Sequence, residues 1–169
     1  FTVRGNISVK VPNGGETWKA GSPNSINWSY SGPMPGVHIF YNANNTTPTD
    51  WQQIATNISI GSADNGSWLW NISSSTELAT DARIKIEQND TYWGPTYTKD
   101  SSDENFTVKG DLRVDAPNTT AAWAYVGNTY RINWTTFGTI QSVNLSYTNL
   151  SGTGSWVNIP ECTNVNASL

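Results

Sequence analysis

Apolar and polar residues alternate with period two along seven stretches of the first two thirds of the chain. They are NISVKV (6–11), SINWSY (25–30), GVHIFYN (36–42), WQQIATNISI (51–60), GSWLWNI (66–72), ARIKIEQ (82–88) and ENFTVKG (104–110). Period two puts residues i and i+2 on one face, so each stretch predicts a half-buried β-strand. Between them lie PNGG, SGPMPG, SADNG and NDTYWGP, which carry turn chemistry. Short strands separated by short turns predict an all-β, two-sheet sandwich. The only helix candidate is STELAT (75–80), a single turn crossing between sheets.

The pattern then repeats. FTVRG at 1–5 returns as FTVKG at 106–110, an offset of 105. Pro12-Asn13 maps to Pro117-Asn118 and Trp18 to Trp123 at the same offset. After one inserted residue, Gly21 maps to Gly127, Ile26-Asn27-Trp28 to Ile132-Asn133-Trp134, and Tyr41 to Tyr147. The offset of 105 resumes at Trp51 and Trp156, and at Ile54 and Ile159. Rare residues matching in order at a near-constant offset predict tandem units. Residues 1–5 read as the closing strand of a preceding repeat or as a donor strand that packs in a neighbouring sandwich. Residues 6–109 read as one whole unit and 110–169 as an incomplete second one. A half-sandwich leaves open sheet edges, so a longer array or a partner chain is expected to cover it.

The segment VPNGGETWKAGSPNSINWSYSG (11–32) carries Pro-Asn-Gly-Gly-Glu, then Trp, then Gly, then Ile-Xaa-Trp. Together with ARIKIE (82–87) and DSSDENFTV (100–108), it resembles the immunoglobulin-like modules of large archaeal and bacterial secreted proteins. It is also similar to the N-terminal domain of fungal cell-wall proteins of the KNH type. The resemblance covers 6–109 and, more weakly, 110–169, where the opening has drifted to APNTTAAW and lost the counterparts of Gly14, Gly15 and Glu16. It implies tandem immunoglobulin-like (fibronectin III-like) β-sandwiches in extracellular or cell-wall proteins, and no catalytic activity. On physical grounds Gly14-Gly15 suits a tight turn with positive φ, and Trp18 and Trp28 are large enough to bridge the sheets.

Charged residues make up only 13% of the chain, and the net charge is −4. Nucleic-acid backbones demand a Lys/Arg surplus, so that class of partner is excluded, as is a polybasic membrane patch. No stretch is apolar enough to insert in a bilayer. A low charge raises the question of what keeps the chain soluble, and the sequons answer it. Asn-Xaa-Ser/Thr begins at Asn6, Asn27, Asn44, Asn45, Asn57, Asn65, Asn71, Asn89, Asn105, Asn118, Asn133, Asn144, Asn149 and Asn166. About five would arise by chance from this composition. In eight of them the middle residue is apolar: Ile7, Trp28, Ile58, Ile72, Phe106, Trp134, Leu145 and Leu150. On a strand this sends the middle residue to the core and leaves Asn and Ser/Thr together on the solvent side, so both sheets are expected to carry sugar outside. An acidic residue two positions before Asn, the common bacterial requirement, occurs at only two of the fourteen, as Glu87 before Asn89 and Asp103 before Asn105. An archaeal or eukaryotic glycoprotein at the cell surface is expected, in a filament, sheath or surface layer. Its partners are expected to be covalent N-glycans and copies or neighbouring repeats of itself, and the competing role is that of an adhesin or carbohydrate-binding repeat.

Catalytic chemistry is not legible, and no cofactor is expected. His38 is the only histidine and Cys162 the only cysteine, which is too few for a zinc site. His38 is expected on the solvent side of its strand, with no nucleophile elbow to serve. Asp100, Asp103, Glu104 and Asp111 cluster near the unit junction and form the one arrangement that suits calcium, although solvated turn carboxylates are the preferred reading. Trp68 and Trp70 share a strand face and would stack on sugar rings if exposed; the preferred reading places both in the core.

Overall fold

A computed structural model describes residues 5–47, 49–60, 64–89, 98–119, 124–125, 127–148 and 154–167. These residues are all-β, and no α-helix occurs among them. Strands β1 (Asn6–Val11), β3 (Pro23–Ser31) and β6 (Asn65–Asn71) form a three-stranded antiparallel sheet in the order β1-β3-β6. The facing sheet runs β2 (Thr17–Lys19), β9 (Phe106–Lys109), β7 (Ala79–Gln88), β4 (Val37–Asn42) and β5 (Gln52–Ile58). Strand β8 (Lys99–Ser101) pairs with β7 beyond the end of β9. The short strands β2 and β8 escape a periodicity reading because three residues carry too little alternation. STELAT forms no helix; Thr76 N bonds Ser73 O in a turn and β7 begins at Ala79.

One core lies between the two sheets. Ile7, Val9, Ile26, Trp28 and Trp70 fill it from the first sheet, and Trp18, Ile39, Tyr41, Ile84, Ile86, Phe106 and Val108 from the second. Trp18 lies edge-on to Trp70 at 6.2 Å and tilted on Phe106 at 5.1 Å, and Tyr41 reaches Trp70 at 5.0 Å. The PNGGE segment closes the sandwich end. Glu16 takes the Asn13 N–H on Oε1 at 2.9 Å and the Gly14 N–H on Oε2 at 2.8 Å, while Gly15, at φ 82°, donates to Asn105 O.

Tyr41 is a probe of this core. Its hydroxyl donates to Glu77 O at 2.9 Å. Burial, followed by the nearby Glu77 and Asp81 carboxylates, pushes the phenol well above its ordinary range. A raised folded-state value means stability that is complete below the unfolded phenol pKa of about 10 and is lost as pH rises beyond it. Tyr41→Phe is therefore expected to cost about 1 kcal/mol at neutral pH through the lost hydrogen bond. It should also flatten the alkaline fall in stability. Urea unfolding at pH 7 and above pH 10 checks both.

Two strand pairs share one register at the offset of 105–106 residues. β10 (Asp111–Ala116) pairs with β11 (Asn133–Phe137) as Asp111↔Phe137, Leu112↔Thr136, Arg113↔Thr135, Val114↔Trp134 and Ala116↔Asn133. β1 pairs with β3 as Asn6↔Ser31, Ile7↔Tyr30, Ser8↔Ser29, Val9↔Trp28 and Val11↔Asn27, with the bulge at the same step. The short pairs continue the match. Tyr41↔Gln52 becomes Tyr147↔Val157 between β13 (Ser146–Tyr147) and β14 (Val157–Asn158). With two further residues inserted after Ile159, an offset of 107, Val37↔Ile58 becomes Val143↔Val165 between β12 (Ser142–Val143) and β15 (Val165–Asn166). Asn57 and Asn164, at corresponding points, both adopt left-handed backbone, with φ of 53° and 54°.

Equivalent positions differ sharply in exposure. Ile7 is 3% exposed and Leu112 is 41%, Val9 1% and Val114 44%, Tyr41 1% and Tyr147 55%. The counterparts of β6, β7 and β9 that bury the first set have no equivalent among the described residues of 110–169. Phe1–Arg4, the strand expected in a neighbouring sandwich, lie outside the described residues. No helix among the described residues is long and apolar enough to cross a membrane.

Candidate functional site

The sequons form the densest chemical feature, and the strands set their geometry. Thirteen of the fourteen acceptors lie within the described residues; Asn149 does not. Asn6, Asn44, Asn45, Asn57, Asn65, Asn71, Asn118, Asn133, Asn144 and Asn166 are exposed, and Asn27, Asn89 and Asn105 are half-buried. The large apolar middle residues turn inward: Ile7, Trp28, Ile72 and Phe106 are at most 3% exposed, and Ile58, Trp134 and Leu145 are half-buried. The fully buried asparagine, Asn42, heads no sequon.

The hydrogen bonds divide the asparagines a second way. Asn13, Asn24 and Asn42, which head no sequon, donate from Nδ2 to Asp103 Oδ2, Ser22 O and Thr47 O. Asn13 and Asn42 also accept on Oδ1, from Asp103 N and Asn44 N, and three sequon asparagines are held at that atom. Asn44 Oδ1 accepts from Thr46 N, Asn105 Oδ1 from Arg83 Nε and Asn144 Oδ1 from Asn164 N. A backbone or guanidinium N–H can only donate, so these amide orientations follow from chemistry. Nδ2 is the atom that would carry a glycan. Asn89 differs from these three, since its Nδ2 donates to Asn57 Oδ1 at 3.1 Å and its own Oδ1 is buried without a partner.

The sequons are distributed unequally over the two sheets. The outer face of the three-stranded sheet holds Asn6, Asn27, Asn65 and Asn71. There two sequons interlock, with Asn27 opposite Ser67 and Ser29 opposite Asn65, and Ser67 Oγ donates to Asn27 Oδ1 at 2.7 Å. The expectation of sugar across both outer faces fails for the second sheet. Strands β4 and β7 carry no acceptor. The outer face there holds the Lys85 ammonium, 2.7 Å from Glu87 Oε1 and above the rings of Phe40 (4.5 Å) and Trp51 (4.8 Å). Acceptors appear only toward its margins, at Asn57, Asn89 and Asn105.

The remaining candidates resolve into structural roles. Asp100 Oδ2 accepts the Val9 N–H, Asp103 pairs with Asn13, the Glu104 side chain lies against Gly14, and Asp111 faces Lys19 at 3.7 Å. No group of three metal-binding side chains exists among the described residues. Trp70 is 5% exposed and Trp68 is half-buried against the same core, with Leu69 between them pointing outward at 54%, so neither ring offers a sugar platform. His38 Nδ1 faces the Asn57 N–H at 3.4 Å, Gln53 Nε2 at 3.0 Å and Thr56 Oγ1 at 3.1 Å, which ties it to β5. Cys162 is a half-buried free thiol.

No protein family, curated protein or solved structure matches the chain.

Proposed function

We propose that this chain is a structural, heavily N-glycosylated repeat segment of an extracellular filament, sheath or surface layer, built from tandem immunoglobulin-like (fibronectin III-like) sandwiches. A single observation carries the proposal: no described acceptor is buried, while the residue after it packs inward wherever the sequon lies on a core strand. Sugar on the three-stranded face would supply the solubility that a 13% charged content does not, and would shield strand edges as charge does elsewhere. The role is architectural and not catalytic. Assembly would run through strand edges or end-to-end domain contacts with other copies or neighbouring repeats. The module resemblance favours an archaeal cell surface. The alternative of a carbohydrate-binding repeat loses its platform with the burial of Trp70.

Intact glycopeptide mass spectrometry on native material tests the proposal, with electron cryo-microscopy of the particle it comes from. Glycan is expected on Asn6, Asn71 and Asn118, and on one of Asn44 and Asn45. Asn27 and Asn65 are diagonal cross-strand neighbours about 7–8 Å apart, so partial occupancy is expected at one of them. Native material bare at all fourteen sites would overturn the proposal.

A further inference from the structure

We infer that the strand acceptors Asn27 and Asn105 are glycosylated before this chain folds, whereas Asn44 and Asn45 remain open to the reaction afterwards. The inference rests on the N-glycosylation reading and adds an order of events to it. Transfer forms the bond from Asn Nδ2 to C1 of a sugar, breaks the C1–O bond to a lipid-linked phosphate carrier, and releases that carrier with one amide proton. The transferase has to grip the tripeptide itself, because the motif demands a Ser/Thr hydroxyl two residues on.

Folding removes that grip at the two strand sites. Asn27–Ser29 lies at the centre of β3, laddered to β1 on one side and β6 on the other. Trp28 between them is 1% exposed. At the second site, Asn105 O accepts the Gly15 N–H at 2.9 Å and Thr107 N donates to Glu16 O at 2.8 Å. Phe106 is 1% exposed and rests on Trp18. Lifting either tripeptide into an enzyme cleft breaks ladder hydrogen bonds and withdraws an aromatic ring from the core. The reaction can then proceed only through the opened chain, a fraction on the order of 10⁻³ or less for a stable domain.

The folded state nevertheless accepts the product. The bonds made by the fold at Asn27 and Asn105 end on Oδ1, from Ser67 and Arg83, so a sugar on Nδ2 displaces neither. The turn sites differ. Asn44, Asn45 and Thr46 are all exposed, and Thr46 Oγ1 donates to Asn44 Oδ1 at 2.6 Å within the motif itself. The turn is tied by the Asn45 N to Asp81 O bond at 3.3 Å and the Asn44 N–H to Asn42 Oδ1 bond at 2.7 Å, and no side chain of the motif itself is packed in the apolar core.

The test uses a purified oligosaccharyl transferase and a lipid-linked oligosaccharide. Its substrates are the folded chain made without glycan and two synthetic peptides, one spanning 23–31 and one 43–49. Both peptides are expected to be modified; of the sites they contain, the folded chain is expected to react at Asn44 or Asn45 and not at Asn27. Its Asn27 should react at least about 10³-fold more slowly than the first peptide. Modification of Asn27 in the folded chain within tenfold of the peptide rate overturns the inference. Absence of transfer to both peptides and to the turn sites, with native material bare as well, overturns the glycosylation reading itself. Should the glycan-free chain not fold, as protease sensitivity would report, pulse-chase in a secretory host with limiting transferase decides the matter. Occupancy at Asn27 and Asn105 should then freeze while Asn44 and Asn45 continue to fill; a parallel rise at all four overturns the inference.

Discussion

Trp28→Ala is expected to destabilise the first sandwich by about 3–5 kcal/mol, the usual cost of emptying a large aromatic site. Trp28 is 1% exposed and sits between the sheets, paired with Val9 on one side and Gly66 on the other. The loss is a large share of the roughly 5–15 kcal/mol that holds a domain together. Phe106→Ala is expected to cost a similar amount, because its ring supports Trp18 at 5.1 Å and Tyr41 at 6.4 Å. Trp28→Phe should be markedly milder. The indole Nε1 is buried without a hydrogen-bond partner, and removing an unsatisfied donor recovers about 1–3 kcal/mol of desolvation cost. Denaturant unfolding followed by near-ultraviolet circular dichroism distinguishes the three variants. All keep the acceptor tripeptide, so any fall in stability belongs to the core and not to a lost sequon. A Trp28→Phe loss equal to that of Trp28→Ala would contradict this account.

Gly66→Val is the second large effect. A Cβ at Gly66 would stand 2.1 Å from Trp28 Cε2 and 2.4 Å from Nε1, so β6 and the indole cannot both keep their places. Overpacking of this kind costs about 1–3 kcal/mol and sometimes more. Flattening or slipping of β6 is the alternative, and a one-residue slip would bring Leu69 inward and carry Trp70 out. Combining Gly66→Val with Trp28→Phe removes the atoms that clash. The double variant should therefore be less destabilised than the sum of the singles, a coupling readable by a double-mutant cycle. Strict additivity would show that the glycine serves another purpose. The same contact explains why Asn65-Gly66-Ser67 carries glycine where other strand sequons carry an apolar residue: the space is occupied by the ring opposite.

Much of the fold was legible because alternation and burial are one physical fact seen at two levels. The seven periodic stretches coincide with β1, β3, β4, β5, β6, β7 and β9, with ends displaced by a few residues. The Asn-apolar-Ser/Thr triplets are the same alternation, which is why outward acceptors could be read from spacing at Asn6, Asn27, Asn71 and Asn105. What stayed hidden was set by partners distant in sequence. Nothing near Asp100 reveals that it caps Val9, or near Asp103 that it clasps Asn13, so a cluster of carboxylates resembled a calcium site until its partners were in view. The bare centre of the second sheet was hidden for a related reason, since only the pairing of β4 with β7 brings Phe40 beside Lys85.

The sequence by itself determined the local periods: which residues face inward, where the chain turns, the repeat near 105 residues, and the number of sequons. These depend on chemistry within a few neighbours, or on identity between two stretches of one string. The tertiary structure alone decided which strands meet, and therefore which acceptors share a face and which amide atom each asparagine presents. It decided that Trp70 is core. Burial belongs to pairs of surfaces brought together across the chain, and no single stretch of sequence contains both.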